Sequence, residues 1–363
     1  MSEPMPETPD RSALSREEKL ALLARLARQK ERAARTFPLS FAQRRLWFLA
    51  RLEPENHANN IFRAVVWRGP LQTDALRRAL TEVVRRHESL RTTFPEVEGE
   101  PRQKVAPAAD LPLAWEDLSG QPLEEARQRS RELAEAESRR NFDLVRGPMF
   151  RASLLKLAAA EHVLLFSMHH IVSDGWSMGL LFRELTALYR AFAAGLPSPL
   201  PEPAVQYPDF AQWQRERLSE ERLAAEVGWW RERLAGYPDY LELPGDRPRP
   251  AGGSFKGAIE PFEIPRELAE RLRALALREG ATPFMLLLAA FETFLFRLSG
   301  QDAFLVATNV AGRNRTELEG VIGFFTEILL LRARLESGLT FRELLSWVRR
   351  DSLDAQAHQE LPF

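Results

Sequence analysis

Cysteine occurs nowhere in this chain. Disulfides, thiolate nucleophiles and cysteine-ligated metals are thereby excluded. The absence agrees with a reducing compartment. Charge of one sign is equally lacking: Lys and Arg number 50 and Asp and Glu 51, a formal net charge of −1. No global field favours nucleic acid or an anionic membrane surface. No apolar run reaches the roughly 20 residues of a membrane-crossing helix. The start, Met1-Ser2-Glu3-Pro4-Met5-Pro6, has no basic region followed by an apolar one, so no secretory signal is read there. These absences predict a cytoplasmic protein with neither nucleic acid nor membrane as partner.

What is present is a globular composition, 45% hydrophobic and 28% charged over 363 residues. That length exceeds one ordinary core and predicts two domains or a bilobal unit. Residues 1–36 read as a disordered start followed by an amphipathic linker or docking helix, with Ser15-Arg16-Glu17-Glu18 as its capping box. Residues 37–200 read as a first lobe and 201–363 as a second. Hydrophobic periodicity predicts helices over 41–52, 74–87, 123–139, 179–193, 210–234, 265–278, 282–298 and 341–357. It predicts strands over 61–67, 90–94, 150–157, 161–168, 303–310 and 328–335. Pro-rich stretches at 197–208 and 244–257 read as connectors. The mixture predicts an α/β fold with strands and helices in both halves.

The most informative stretch is Met168-His169-His170-Ile171-Val172-Ser173-Asp174-Gly175-Trp176-Ser177, at a strand-to-helix junction. Adjacent residues on a strand point to opposite faces. One histidine is therefore expected to pack inward and the other to face a cavity. That weakens a zinc reading, and no metal site is predicted. The Asp174 carboxylate can bend back toward the imidazole or lock the loop by pairing with an arginine. Gly175 gives the backbone room to bend. Ser173 sits in no nucleophile elbow. The pattern therefore fits acyl transfer with a histidine and no nucleophilic side chain, from a donor already activated as a thioester. A free α-amine has a pKa near about 8 and is partly neutral at physiological pH. The histidine either takes its proton or stabilises the zwitterionic tetrahedral species, help worth about 10²–10⁴-fold.

Five further segments join this motif in one order. They are Leu39-Ser40-Phe41-Ala42-Gln43-Arg44-Arg45-Leu46-Trp47-Phe48-Leu49, Arg86-His87-Glu88-Ser89-Leu90-Arg91-Thr92-Thr93-Phe94, Tyr207-Pro208-Asp209-Phe210-Ala211-Gln212-Trp213, Ile322-Gly323-Phe324-Phe325 and His358-Gln359-Glu360-Leu361-Pro362-Phe363. With the His-His-x-x-x-Asp-Gly run third, the chain resembles the condensation domain of nonribosomal peptide synthetases over most of its length. The resemblance implies two lobes like chloramphenicol acetyltransferase, arranged as a V with a tunnel between them. It implies substrates carried on the phosphopantetheine of upstream and downstream peptidyl carrier proteins, an adenylation domain in the same synthetase, and no cofactor bound by the domain itself. The expected chemistry is amide-bond formation in secondary-metabolite or antibiotic biosynthesis, and Ser-Asp-Gly-Trp-Ser leans toward the subclass joining two L-residues.

By the same resemblance His170 is the catalytic residue, as base or as stabiliser, and His169 and Asp174 support the site. Arg86 and Arg91 hold it together, and Gly175 leaves space for the thioester arm. Ser173, Trp213, Arg313 and Glu327 are candidate tunnel or wall residues. A buried Asp174 needs a cationic partner; Arg91 and Arg313 are the candidates. One departure stands out: the fifth motif usually continues Val-Asn-Thr, and here it reads Thr326-Glu327-Ile328. The end at Phe363, before the family's seventh motif, leads to the expectation of an incomplete second lobe. Two other functions fit the same motifs: a non-catalytic carrier-binding or recruitment platform, and an acyltransferase using a free acyl thioester.

Overall fold

A computed structural model describes residues 36–245 and 258–362. The helix expected before residue 36 and most of the 244–257 connector lie outside the described residues. The chain begins with β1 (Thr36–Pro38) and α1 (Phe41–Leu52). Ser40 caps α1 by accepting from the Gln43 amide, and the Gln43 side chain answers from the other direction. Next come β2 (Asn60–Arg68), α2 (Thr73–Arg86), a 3₁₀ turn at Glu88–Arg91, β3 (Thr92–Thr93), β4 (Glu96–Val97), β5 (Glu100–Val105) and β6 (Leu113–Asp117). Then follow α3 (Leu123–Ser138), β7 (Phe150–Ala158), β8 (Glu161–His169), a second 3₁₀ turn at His170–Val172, and α4 (Gly175–Ala193).

The main sheet has the order β2-β8-β7-β6, antiparallel except for the parallel β6–β7 pair. Alternation along β7 and β8 sorts their apolar side chains to two faces. Phe150, Leu154, Leu164, Phe166 and Met168 pack with Leu80 and Val83 of α2 and Leu181 and Leu188 of α4. Leu155, Leu157, Val163 and Leu165 pack with Ala126 and Leu133 of α3. Helices on both faces explain why β8 reads as a continuous apolar run. Each fully buried Leu or Phe here contributes about 1.5–3 kcal/mol. A smaller sheet, β1-β5-β3 with β4 on β5, stands beside it.

The second half opens with α5 (Tyr207–Arg217) and α6 (Glu220–Leu234), and continues with α7 (Arg266–Arg278), α8 (Pro283–Ser299), β9 (Ala303–Val310), β10 (Glu327–Arg334) and α9 (Phe341–Ala357). β9 and β10 form an antiparallel pair. Leu286, Ala289, Phe304, Leu329, Leu331, Leu345 and Val348 make their common core. Among the described residues no single helix is long and apolar enough to cross a membrane.

Three local expectations change. The 210–234 helix is two helices, because Ser219 breaks the run and caps α6 at the Arg222 amide. The strand expected at 90–94 is confined to Thr92–Thr93, because Leu90 and Arg91 end a 3₁₀ turn that Thr92 Oγ1 closes by donating to the Glu88 carbonyl at 2.7 Å. α4 starts at Gly175 rather than four residues later, because Asp174 caps it.

Candidate active site

The site is built where β8 gives way to α4. His169 is the last residue of β8, opposite Asn60. Its ring is 5% exposed, and its Nδ1 accepts from the Ile171 amide at 3.1 Å. That bond fixes the remaining proton on Nε2. Burial, with the neighbouring His170 charge adding to it, pushes its pKa down to about 3. His169 is thus a neutral spacer, packed edge-on to Phe142.

His170 is held differently. Its amide donates to the Asn59 carbonyl at 2.8 Å, and its carbonyl accepts from Ser173 N. Its ring meets Phe324 edge-on, with centroids 4.8 Å apart. The ring is partly exposed. Its Nδ1 is buried without a hydrogen-bond partner. The division between the two rings is one of exposure, His169 buried and His170 partly exposed, and the histidine that lines a cavity is His169. The cause of the division is the change from strand to 3₁₀ turn at His170.

Asp174 ties this turn to the second half. Its Oδ1 accepts from the Ser177 amide at 2.8 Å and its Oδ2 from the Phe325 amide at 3.1 Å. Arg313 grips both oxygens at 3.3 Å. Both side chains of the pair are 1% exposed. Burial draws the Arg313 guanidinium below its ordinary value, while Asp174 pulls it back up. Arg313 also lies over the Phe325 ring, 4.0 Å from the centroid. Ser177 Oγ accepts from Gly323 N and Arg313 Nη2 and donates to the Gly323 carbonyl.

The 321–326 segment is pinned from other sides as well. Ser89 Oγ donates to the Ile322 carbonyl at 2.7 Å, and His87 Nδ1 accepts from the Ile322 amide. Tyr207, fully buried, donates its hydroxyl to the Phe324 carbonyl at 2.5 Å and contacts Ser40 Oγ at 2.8 Å. Burial pushes its pKa up. A Cβ on Gly323 would overlap the Tyr207 ring, so only glycine lets the two approach.

The remaining candidates divide. Arg86 does not touch His170; it forms a two-toothed pair with Glu184 at 2.9 and 3.0 Å and donates to the Pro201 carbonyl. His87 Nε2 shares Glu184 at 3.0 Å. Although burial opposes ionisation, the His87 and Arg86 bonds hold the Glu184 carboxyl down at about 2. Arg91 is not the partner of Asp174. It ends the first 3₁₀ turn, faces Glu88 at 3.8 Å and donates to the Ala106 carbonyl, because that turn aims it away from the junction. Ser173 is 0% exposed and lines no open wall. Its Oγ is buried without a hydrogen-bond partner. Gly175 is exposed at the start of α4, and a Cβ there would meet nothing within 4 Å.

Trp213 and Glu327 line one cavity of about 260 Å³, together with Gln214, Phe325 and Arg315. A second cavity, about 690 Å³, is lined by Trp47, Phe142 and His169 among others. Motif reading missed Ser177, Tyr207 and Gly323 as the parts that join the halves. Only Ser177 had a local signal, an N3 position three residues after the capping Asp174.

Known proteins resemble this chain over most of its length. A family described as the condensation domain matches residues 33–363. Phosphinothricin tripeptide synthetase PhsC of Streptomyces viridochromogenes is 46% identical over 326 residues, 90% of this chain and 30% of that protein. Chondramide synthase cmdD of Chondromyces crocatus is 44% identical over 333 residues, 91% of this chain and 8% of that protein. The chain thus spans a small part of these relatives. The crystal structure of the X-domain from teicoplanin biosynthesis superposes with a TM-score of 0.79 at 32% identity, over 90% of this chain and 72% of that one. That X-domain is also known in complex with OxyB. The first condensation domain of the calcium-dependent antibiotic synthetase, in complex with a substrate analogue, shares the fold with a TM-score of 0.78 at 23% identity, over 91% of this chain and 76% of that one. The chain belongs to the condensation-domain family of nonribosomal peptide synthetases, with that family's mixed α/β, chloramphenicol-acetyltransferase-like fold.

Proposed function

We propose that the chain joins two carrier-held substrates by an amide bond, with His170 serving the reacting centre. The acceptor amine attacks the donor thioester carbonyl, a C–N bond forms, and the C–S bond breaks. The sulfur leaves on the donor's pantetheine and carries the amine's proton away as a thiol. Two bound thioester arms meeting end to end supply most of the advantage through positioning.

The observation that carries this reading is the contrast between the two motif histidines. His169 is buried, neutral and held by the Ile171 amide, while His170 is partly exposed in a frame of buried, paired groups. His170 serves either as base toward the amine or as donor to the tetrahedral oxyanion. The Asp174–Arg313 pair sets the position of the turn and of Phe324 against it.

His170→Ala in the parent synthetase tests the reading. Peptide release is expected to fall about 10²–10⁴-fold with the thermal transition retained. Undiminished release refutes it.

A second reading follows from the X-domain likeness, because that relative is known in complex with OxyB. In that case the chain is a recruitment surface for a protein acting on carrier-bound peptide. Carrier binding without product from any matched aminoacyl donor favours it. Product from soluble acyl thioesters without a carrier favours the free-substrate acyltransferase instead.

A further inference from the structure

The cavity beside β10 holds a charged group that amide-bond chemistry at His170 does not use. Glu327 is the first residue of β10, 8% exposed, and its Oε2 is buried with no hydrogen-bond partner. Glu327 lines a cavity of about 260 Å³ whose apolar wall is Phe210, Trp213, Leu318 and Phe325. The other charged groups on that wall have partners of their own. Glu360 is shared by Arg217 and Arg222, each at 2.9 Å, and Arg315 pairs with Glu317 at 3.6 Å. The Arg217 and Arg315 guanidiniums also lie about the Trp213 ring, at 5.4 and 5.5 Å.

A buried carboxyl oxygen without a donor is costly. Desolvation accordingly raises the Glu327 pKa to about 7, against the pull of the Arg45 charge and a Gln214 hydrogen bond. Tyr207 also feels this carboxylate through space. The groups facing Glu327 are therefore Arg45 from α1, Gln214 and Tyr207 from α5, and the paired charges of the cavity wall.

We propose that Glu327 and this cavity form a subsite for a basic group of amino-acid size, the ammonium-bearing side chain of an aminoacyl substrate. This rests on the carrier-held substrates proposed above. The ammonium pairs with the Glu327 carboxylate at the cavity wall, and the alkyl stem lies against Phe325 and Leu318. The cavity, at about 260 Å³, is smaller than the usual drug-sized ligand site, large enough for one side chain and not for a peptide.

The proposal makes binding depend on pH in a defined direction. A lysine-type ammonium stays protonated up to about pH 10. Glu327 ionises near pH 7 and sets the affinity. Binding of n-butylammonium to the complete protein, followed by ligand-observed NMR, is expected to weaken about tenfold from pH 8 to pH 6. In Glu327→Gln, an isosteric change, it is expected to be weak and flat with pH. A pH-independent affinity, or equal affinity in the variant, overturns the subsite.

Turnover identifies the source of the group. Lysyl and norleucyl substrates are offered first on the donor carrier and then on the acceptor carrier of the parent synthetase. A preference for lysyl of about 10–100-fold is expected on one side, the scale of a hydrogen bond to a charged group. Glu327→Gln brings that ratio toward one. No preference on either side, or a preference that survives the substitution, overturns the proposal. Amine binding that persists in His170→Ala while product is lost leaves both readings standing. Product loss in His170→Ala without any amine binding overturns the subsite alone.

Discussion

Replacing Asp174 by Asn isolates the charge that joins the two halves. Asn is as good a helix cap as Asp, so α4 keeps its N-terminus. What is lost is the counter-ion of Arg313, and both side chains are 1% exposed. Removing one member of a buried pair costs about 3–5 kcal/mol, because the other charge stays behind without compensation. The Asn amide also turns N–H groups toward a guanidinium that has only donors. A typical total stability of about 5–15 kcal/mol makes this a large fraction. At about 2–4 °C per kcal/mol, the thermal midpoint is expected to fall by roughly 6–20 °C. Replacing both residues, Asp174→Leu with Arg313→Met, removes the stranded charge and is expected to cost less than the two single changes added together. Urea unfolding of the three variants measures this directly. A cost below about 1 kcal/mol for Asp174→Asn, or strict additivity in the double variant, refutes the role given to the pair.

Two other outcomes are expected. Gly175→Ala should leave unfolding unchanged, since its Cβ meets open space, whereas Gly175→Leu should lower turnover without lowering stability; turnover equal to that of the parent would remove Gly175 from the path of the thioester arm. His169 has a folded pKa near 3 against an ordinary 6.5, so below pH 6.5 the unfolded chain binds a proton that the folded chain refuses. Stability is therefore lost as pH falls, by about 2 kcal/mol between pH 7 and pH 5, and His169→Asn should remove that slope in denaturant titrations; identical slopes would contradict the buried neutral imidazole.

Much of the fold was legible because helix and strand periods survive wherever one face is buried. β8 read as a strand from Val163 to Phe166, and α2 from its Leu76, Leu80 and Val83 stripe. The misses are places where a single polar side chain overrides the period. Asp174 starts α4 early, and Ser219 divides a helix that apolar spacing alone continues. Of the site, His170, Asp174 and Gly175 were visible because they sit within six residues of one another. The partner of Asp174 was not. Arg91 and Arg313 are equivalent as letters, and only the 3₁₀ turn at Glu88–Arg91 decides between them. Tyr207 and Gly323 are 116 residues apart in sequence and belong together only through the overlap that any larger residue would create. Glu327 was visible as a departure from the motif; its burial and missing donor were not.

The most direct test of a working imidazole at the β8–α4 junction is single-turnover peptide formation by the parent synthetase with His170→Ala, both carriers loaded beforehand. The account predicts a rate at least about 100-fold lower, with both thioesters still bound and the unfolding transition in place. A rate equal to that of the unmodified protein would mean that the imidazole beside Phe324 takes no part in the reaction.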